Sequence, residues 1–390
     1  MHVKSGLRFR SVTPFTGKRT WRVPMKITDL RTRVVAPPEF VFQWREDIPP
    51  VQLTMTVFEI DTDEGITGVS TSWLPAAPNE IAESAMHFFK PLLIGAHPFQ
   101  REKLWHELMA FSRYMISPKA ASNIDIALWD IAGKAAGRPV YELLGAYRDR
   151  VPVYITTETQ KDAQDYAQIA VRCKEQGLHG VKLHAAATPD KDIEACRAAR
   201  AAVGDEFTLM LDATSAYDWH DAVRVGREIE RLGFHWYEDP MRDDDVAGFV
   251  QLCQVLDVPV LMGESTARGP WTFAHYLSQG ACDGLRAVGD IIGGITGLRK
   301  IGALAELHNR RMEPHSYGST LVQAAHLHYI LSVRNCEFFE LPFPRGPLDF
   351  GMKDVIEVGA DGHVRAPTAP GLGYELDWDV IDNATVKQLS

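Results

Sequence analysis

Over residues 26–60 polar and apolar side chains alternate, most clearly in Gln52-Leu-Thr-Met-Thr-Val-Phe-Glu-Ile, the two-residue period of strands with one buried face. Asp63-Glu-Gly-Ile-Thr-Gly predicts a turn back into a further strand. Over residues 78–137 the apolar positions recur at steps of three and four, so helices take over, and Gly137-Arg-Pro marks their end. After Arg150 short apolar runs alternate with amphipathic stretches. Strands are predicted at 153–156, 180–184, 207–212, 234–238, 258–264, 284–290, 311–315 and 337–340, with helices between them. That order specifies an α/β protein: an α+β unit over 25–150, then a parallel barrel over 151–341. The tail from about 342 to 390 has no room for another helix-strand unit and is expected to fold back onto the first domain. Its Gly371-Leu-Gly-Tyr reads as a turn, without phosphate-loop spacing.

A second period lies over the first. Asp212, Glu238, Glu264 and Asp290 follow one another at intervals of 26 residues, and His315 and Glu340 continue at steps of 25. Such an interval holds one strand, one helix and two loops, so each of these residues should end a strand at the same mouth of the barrel, where folds of this kind keep their chemistry.

Composition narrows the partner. The 390-residue chain carries a net charge of -10 with acids and bases interspersed, which argues against nucleic acid or an anionic membrane and for a small molecule. Five scattered cysteines without a Cys-x-x-Cys pair indicate neither a disulfide framework nor a thiolate metal site, and a cytoplasmic setting is expected. No apolar run reaches the ~20 residues of a membrane helix. Residues 1–24 hold Lys4, Arg8, Arg10, Lys18, Arg19 and Arg22 and no acid, and read as a basic arm.

Three carboxylates cannot converge without a cation, because mutual repulsion would protonate one or splay them apart. Hard oxygen ligands suit Mg²⁺, one per subunit, with Asp212, Glu238 and Glu264 as the set. Asp239 and Asp243 to Asp245 read as helix-start acids. Asp290 and His315 end adjacent strands, and a carboxylate beside an imidazole should fix its tautomer and raise its pKa, making a proton carrier. Lys182 and His184 alternate onto one face of the second strand, so either could accept a proton in the mouth. Glu340 could share a proton with a substrate oxygen. Phe40, Phe42, Trp44 and Arg45 lie on the 37–50 loop, a candidate lid, with Trp44 and Arg45 as candidate substrate contacts. His275, His326 and His328 are taken as surface histidines without a catalytic part.

The chain resembles the enolase superfamily, mandelate racemase subgroup, over roughly Met25 to Trp378. The resemblance rests on Ser122-Asn-Ile-Asp-Ile-Ala-Leu-Trp-Asp-Ile-Ala-Gly-Lys, Lys182-x-His184, Leu211-Asp-Ala-Thr-Ser-Ala-Tyr, Trp236-Tyr-Glu-Asp-Pro, Met262-Gly-Glu, Asp290-Ile-Ile-Gly-Gly-Ile-Thr-Gly and Pro314-His. It implies a capping domain with lid loops over a modified (β/α)7β TIM-like barrel, Mg²⁺ on Asp212, Glu238 and Glu264, an Asp290-His315 dyad and enediolate stabilisation by Glu340. A small-molecule carboxylate substrate and a homo-oligomer are expected by the same analogy. Two positions depart from the family pattern: its Lys-x-Lys is here Lys182-x-His184, and its Asp-x-Asn is Asp212-x-Thr214. A polar mouth with His184, Thr214 and Arg45 suits a polyhydroxylated acid, so the expected activity is a sugar-acid dehydratase giving a 2-keto-3-deoxy acid. The alternatives are a racemase, epimerase or cycloisomerase through the same enediolate, and a non-catalytic sugar-acid binding protein.

Overall fold

The structure, a computed structural model, describes residues 25–390 apart from 39–40, 44–48, 73–77, 115, 265 and 267–268. Trp44 and Arg45 therefore lie outside the described residues. Two sheets organise the rest. The first is antiparallel and contains β1 (Ile27–Val35), β4 (Met55–Thr62), β5 (Thr67–Thr71) and, from the far end of the chain, β15 (Thr385–Leu389), in the order β15-β1-β4-β5. β2 (Val41–Phe42) and β3 (Val51–Gln52) pair as a small hairpin on the candidate lid. Ile27, Leu30, Phe58 and Ile60 face the helices that follow, giving this unit its own apolar core.

The second sheet is parallel and curled. Its strands are β6 (Arg150–Thr157), β7 (Gly180–His184), β8 (Thr208–Asp212), β9 (Tyr237–Glu238), β10 (Val260–Met262), β11 (Gly284–Ala287), β12 (Arg311–Pro314) and β13 (Phe339–Phe343), ordered β12-β11-β10-β9-β8-β7-β6-β13. β14 (His363–Arg365) adds antiparallel to the start of β6. Side chains on alternate positions serve two cores. Val181, Leu209, Leu211, Val260 and Leu285 pack outward under the helices, while Tyr154, Met210, Trp236, Leu261 and Phe338 plug the barrel from within. Tyr154 meets Trp236 and Phe338 edge-on at 5.5 and 6.0 Å between centroids, the favoured geometry of aromatic quadrupoles. The plug leaves the space above it, toward the strand ends, for polar groups.

The strand expected at 284–290 stops at Ala287, because the chain turns through Val288-Gly289-Asp290 instead of extending. Asp290 therefore sits in the turn after β11 rather than at a strand end. That turn is held by the long helix Pro118–Ala136 of the first domain. Ser122 Oγ accepts from Gly293 N, Asp125 Oδ2 accepts from Thr296 N, and Trp129 Nε1 donates to Thr296 Oγ1. Trp105 Nε1 donates to Gly293 O at 2.8 Å. Gly293 has φ +100 and a Cβ there would lie 2.5 Å from Trp105 Nε1, so both backbone and space require glycine. The conspicuous Ser-Asn-Ile-Asp-Ile-Ala-Leu-Trp-Asp run is thus a docking face between domains and not chemistry. His326 and His328 are fully buried, which corrects their reading as surface residues. His326 Nε2 accepts from Gly289 N at 2.7 Å and His328 Nδ1 accepts from Tyr141 N at 3.0 Å, so both are structural acceptors. His275 is exposed.

Asp130 ends the docking run. Its buried carboxylate accepts from Val69 N and Leu372 N at 2.9 and 2.8 Å and pairs with Lys134 at 2.6 Å, tying the first sheet to the C-terminal segment. Asp130→Ala strands two backbone donors away from water and is expected to cost about 2–4 kcal/mol. Urea unfolding of both proteins checks this; a midpoint unchanged from wild type contradicts it.

Candidate active site

Parallel register brings the expected residues side by side. His184 pairs with Asp212 across β7 and β8, and Asp212 with Glu238 across β8 and β9. Glu264 lies two residues beyond β10, past Gly263, whose φ of +112 turns the chain inward; a Cβ there would meet Phe273 at 2.7 Å. Asp239, itself at φ 35, fixes that turn: its carboxylate accepts from Gly263 N at 2.9 Å and Glu264 N at 3.0 Å. It is therefore no helix-start acid. Burial and the charge of Glu238 push its carboxyl up to about 8. Of the other three, Asp245 does cap a helix, accepting from Gly248 N, whereas Asp243 accepts from Thr266 and Tyr276 and Asp244 pairs with Arg242.

Asp212, Glu238 and Glu264 each offer an oxygen within 4.8 Å of the others, all buried. Below them lies a cationic layer of which sequence reading saw only half. Lys182 Nζ is 3.0 Å from Asp212 Oδ2, 3.0 Å from Glu238 Oε1 and 2.9 Å from Glu340 Oε1. Arg286 was not anticipated. Its Nε donates to Glu238 Oε1 at 2.7 Å, its Nη2 to Glu340 Oε2 at 2.8 Å, and its Nη1 to the Glu313 and Pro314 carbonyls. The signal was available: an arginine in the middle of the buried strand Gly-Leu-Arg-Ala must have partners within the barrel.

This layer bears on two expectations. Burial alone would lower the pKa of Lys182, but Glu238, Glu340 and Asp212 outweigh it and hold the ammonium well above its ordinary value. In this arrangement Lys182 is the counter-ion of three carboxylates. Burial likewise works against the charge on Glu340, yet Lys182 and Arg286 keep it well below the usual carboxylate range, and Ser316 N adds a 2.9 Å hydrogen bond. Glu340 thus stands between the two cations, Oε1 at 2.9 Å from Lys182 and Oε2 at 2.8 Å from Arg286.

Two imidazoles flank the triad. His184 Nδ1 bonds the Thr157 carbonyl and its Nε2 lies 3.1 Å from Asp212 Oδ2. Although burial disfavours the cation, Asp212 raises the pKa of His184 overall. At the other end His315 Nε2 lies 3.4 Å from Glu264 Oε1. His315 N donates to Ala287 O, which places it beside the turn carrying the fully buried Asp290. His315 Nδ1 makes no hydrogen bond. The expected rise in its pKa is reversed, because burial, the largest influence, pushes it down to about 3 despite Glu340. Thr214 has φ 50 and donates its backbone N–H to Asp212 Oδ1 at 2.9 Å, so it orients a candidate ligand.

The triad fits a divalent cation by charge. Among the described residues, Asp212, Glu238, Glu264 and Glu340 face Lys182 and Arg286 in this layer, four acids against two bases. The strain falls on Glu264, whose carboxyl is pushed well up by burial and by Asp212 and Glu238.

The comparisons agree with this architecture. Residues 165–380 match the model described as enolase C-terminal domain-like, and residues 43–145 match the mandelate racemase/muconate lactonizing enzyme N-terminal domain. The chain is 30% identical over 347 residues to arabinonate dehydratase of Saccharolobus solfataricus, spanning 87% of this chain and 92% of that protein. It is 29% identical over 386 residues to D-galactarolactone cycloisomerase of Agrobacterium fabrum, 92% of this chain and 98% of the relative. D-glucarate dehydratase from Agrobacterium tumefaciens, solved in complex with magnesium, superposes with a TM-score of 0.83 at 32% identity over 93% of this chain and 99% of that one. A Streptomyces coelicolor racemase with bound magnesium gives 0.84 at 26% identity over 92% and 100%.

If Asp212, Glu238 and Glu264 hold Mg²⁺, Glu264 must be ionised in the complex, although burial and its neighbours raise its carboxyl in the unloaded protein. Calorimetric titration in buffers of different ionisation enthalpy should therefore show on the order of one proton released per ion, with affinity rising as pH rises toward the elevated Glu264 value. Glu264→Gln should remove the proton release and weaken binding. Equal heats in all buffers would contradict this.

Proposed function

The chain belongs to the mandelate racemase/muconate lactonizing enzyme family of the enolase superfamily, and on that footing we propose that it dehydrates a polyhydroxylated sugar acid to a 2-keto-3-deoxy acid. The observation that carries the proposal is the pair of imidazole nitrogens at the two ends of the carboxylate triad, one at Asp212 and one at Glu264. Asp212, Glu238 and Glu264 would hold Mg²⁺, which when bound draws charge from the substrate carboxylate and so acidifies the neighbouring C–H. The protein's own residues then divide the proton traffic.

The α-proton passes to His184 Nε2. The hydrogen bond from Nδ1 to the Thr157 carbonyl fixes the tautomer in which neutral His184 presents its lone pair at Nε2. The electron pair left on the α-carbon forms the double bond to the β-carbon. The β C–O bond breaks, and a proton delivered by His315 leaves with the hydroxyl as water. Asp290, buried beside His315, is proposed to orient that ring and stabilise its cation. The enol that remains takes a proton at the β-carbon and becomes the keto acid. Lys182, Arg286 and Glu340 keep the carboxylates fixed, so that little reorganisation accompanies the charge change.

A second division is favoured by the charges at rest, where His184 is raised and His315 lowered: His315 would take the α-proton and His184 protonate the leaving group. The relatives' names include dehydratases of both monoacids and diacids as well as a cycloisomerase, and support sugar acids as the substrate class.

Incubation with a panel of aldonic and aldaric acids should release keto acid from at least one member; silence from every member removes the dehydratase claim. With that substrate, His315→Asn should lower turnover by about 10²–10⁴-fold yet retain exchange of the α-proton in deuterium oxide, while His184→Ala loses both. The reverse division interchanges the two outcomes. Wild-type turnover in either variant sinks the two-imidazole mechanism, and exchange without water loss in the native protein points to a racemase instead.

A further inference from the structure

One carboxylate at the barrel mouth has no part in the chemistry above. Glu158 follows β6 directly. Along that strand Tyr154 belongs to the internal plug and Thr156 Oγ1 lies 3.5 Å from His184 Nδ1, so the two-residue period carries the inward file up to Glu158. Its neighbours agree with this placement. Burial, the largest influence on its carboxyl, raises it above the usual carboxylate range, while His184 and Tyr317 act against that rise from the two sides. Tyr317 in turn stacks on His315, with centroids 6.1 Å apart and planes at 17°. Glu158 thus spans the rim between the two imidazoles, half-buried, one level above the triad.

No lysine or arginine among the described residues figures among the groups that set its charge. The two cations inside the barrel, Lys182 and Arg286, are taken up by Asp212, Glu238 and Glu340 below. A substrate held by its carboxylate at the triad, with its α- and β-carbons between the histidines, extends its remaining carbons toward this rim. There it meets the Glu158 carboxyl.

Resting on the sugar-acid reading above, we propose that Glu158 is a specificity-determining residue that admits monocarboxylic aldonates and rejects dicarboxylic aldarates. A terminal hydroxymethyl group donates a hydrogen bond to the Glu158 oxygens. A second carboxylate in the same place has no hydrogen to donate, and like charges meet where water screens them only in part. Discrimination then comes from a repulsive contact against the wrong substrate as much as from an attractive one toward the right substrate. Tyr317, stacked on His315 at the same rim, is the positioning residue of this arrangement.

The test measures binding of matched pairs, gluconate with glucarate, galactonate with galactarate and arabinonate with arabinarate, to the Mg²⁺-loaded protein by calorimetry. Wild type should bind the monoacid of at least one pair more tightly. Glu158→Gln should move the monoacid-to-diacid affinity ratio toward the diacid by roughly tenfold, the size of one partly screened like-charge contact. Glu158→Asp should keep the wild-type order. Tyr317→Phe, a milder change at the same rim, should move the ratio in the same direction by less. Tighter binding of the diacids by wild type, or a ratio unmoved in both Glu158→Gln and Tyr317→Phe, overturns the proposal. Keto-acid release is followed on the same samples. The expected binding ratios without keto acid from any compound leave the discrimination standing and remove the dehydratase reading, whereas failure to bind any of the six acids removes both.

Discussion

The buried ammonium of Lys182 is the constraint on which the rest of the barrel depends. Three carboxylates, from β8, β9 and β13, lie within 3.0 Å of one nitrogen that has no access to water. A charge in that position is tolerable only with fixed opposite charges beside it, and the ammonium in turn helps hold Asp212 and Glu340 well below the usual carboxylate range. Arg286 completes the layer by bonding Glu238 and Glu340 together and using its remaining donors on the Glu313 and Pro314 carbonyls. The layer rests on an aromatic and aliphatic plug, so no solvent reaches it from below. Above it the balance is deliberately incomplete: Glu264 is left in a site where ionisation is unfavourable, and a divalent ion is the natural remedy.

The same layer sorts the protonatable groups by height in the barrel. Lys182 and Glu340 lie deepest, the ammonium held well above its ordinary value and the carboxylate well below. His184 and His315 lie at the ends of the triad, where one ring is drawn toward its cation by Asp212 and the other toward its neutral form by burial. Opposite tendencies on two similar groups are what an acid-base pair requires. Glu158 and Tyr317 form the outermost level, in contact with whatever part of a ligand is not reacting.

The first domain contributes more than a cover. Its long helix meets the turn after Asp290 through Ser122, Asp125 and Trp129, all in hydrogen bonds that cross between domains. Burial raises the Asp125 carboxyl to about 7, the cost of placing an acid at that junction. His326 secures the same turn from the barrel side through Gly289 N. The position of Asp290 is therefore set by three separate elements, and the docking residues are conspicuous in the sequence because the junction tolerates few alternatives.

The periods of the chain determined a good deal by themselves. Alternation gave the strands, the interval of 26 residues gave a repeating strand-helix unit, and together they put Asp212, Glu238 and Glu264 at one rim, because a repeat that adds one strand at a time converts equal spacing along the chain into adjacency around a barrel. Tertiary structure decided the charges. Lys182 finds Glu238 56 residues away and Arg286 finds Glu340 54 away, separations that no local pattern encodes. So Lys182 gained three carboxylate partners, Glu340 two cationic ones, and Asp239 became the brace of a neighbouring turn. The turn that ends β11 at Ala287 is held by the other domain through Gly293 and Thr296, and His326 is buried against the same turn from the barrel side. Periodicity records which face a residue occupies; the protonation of a group depends on how much water it has lost and which charges stand nearby, and those are properties of the folded assembly alone.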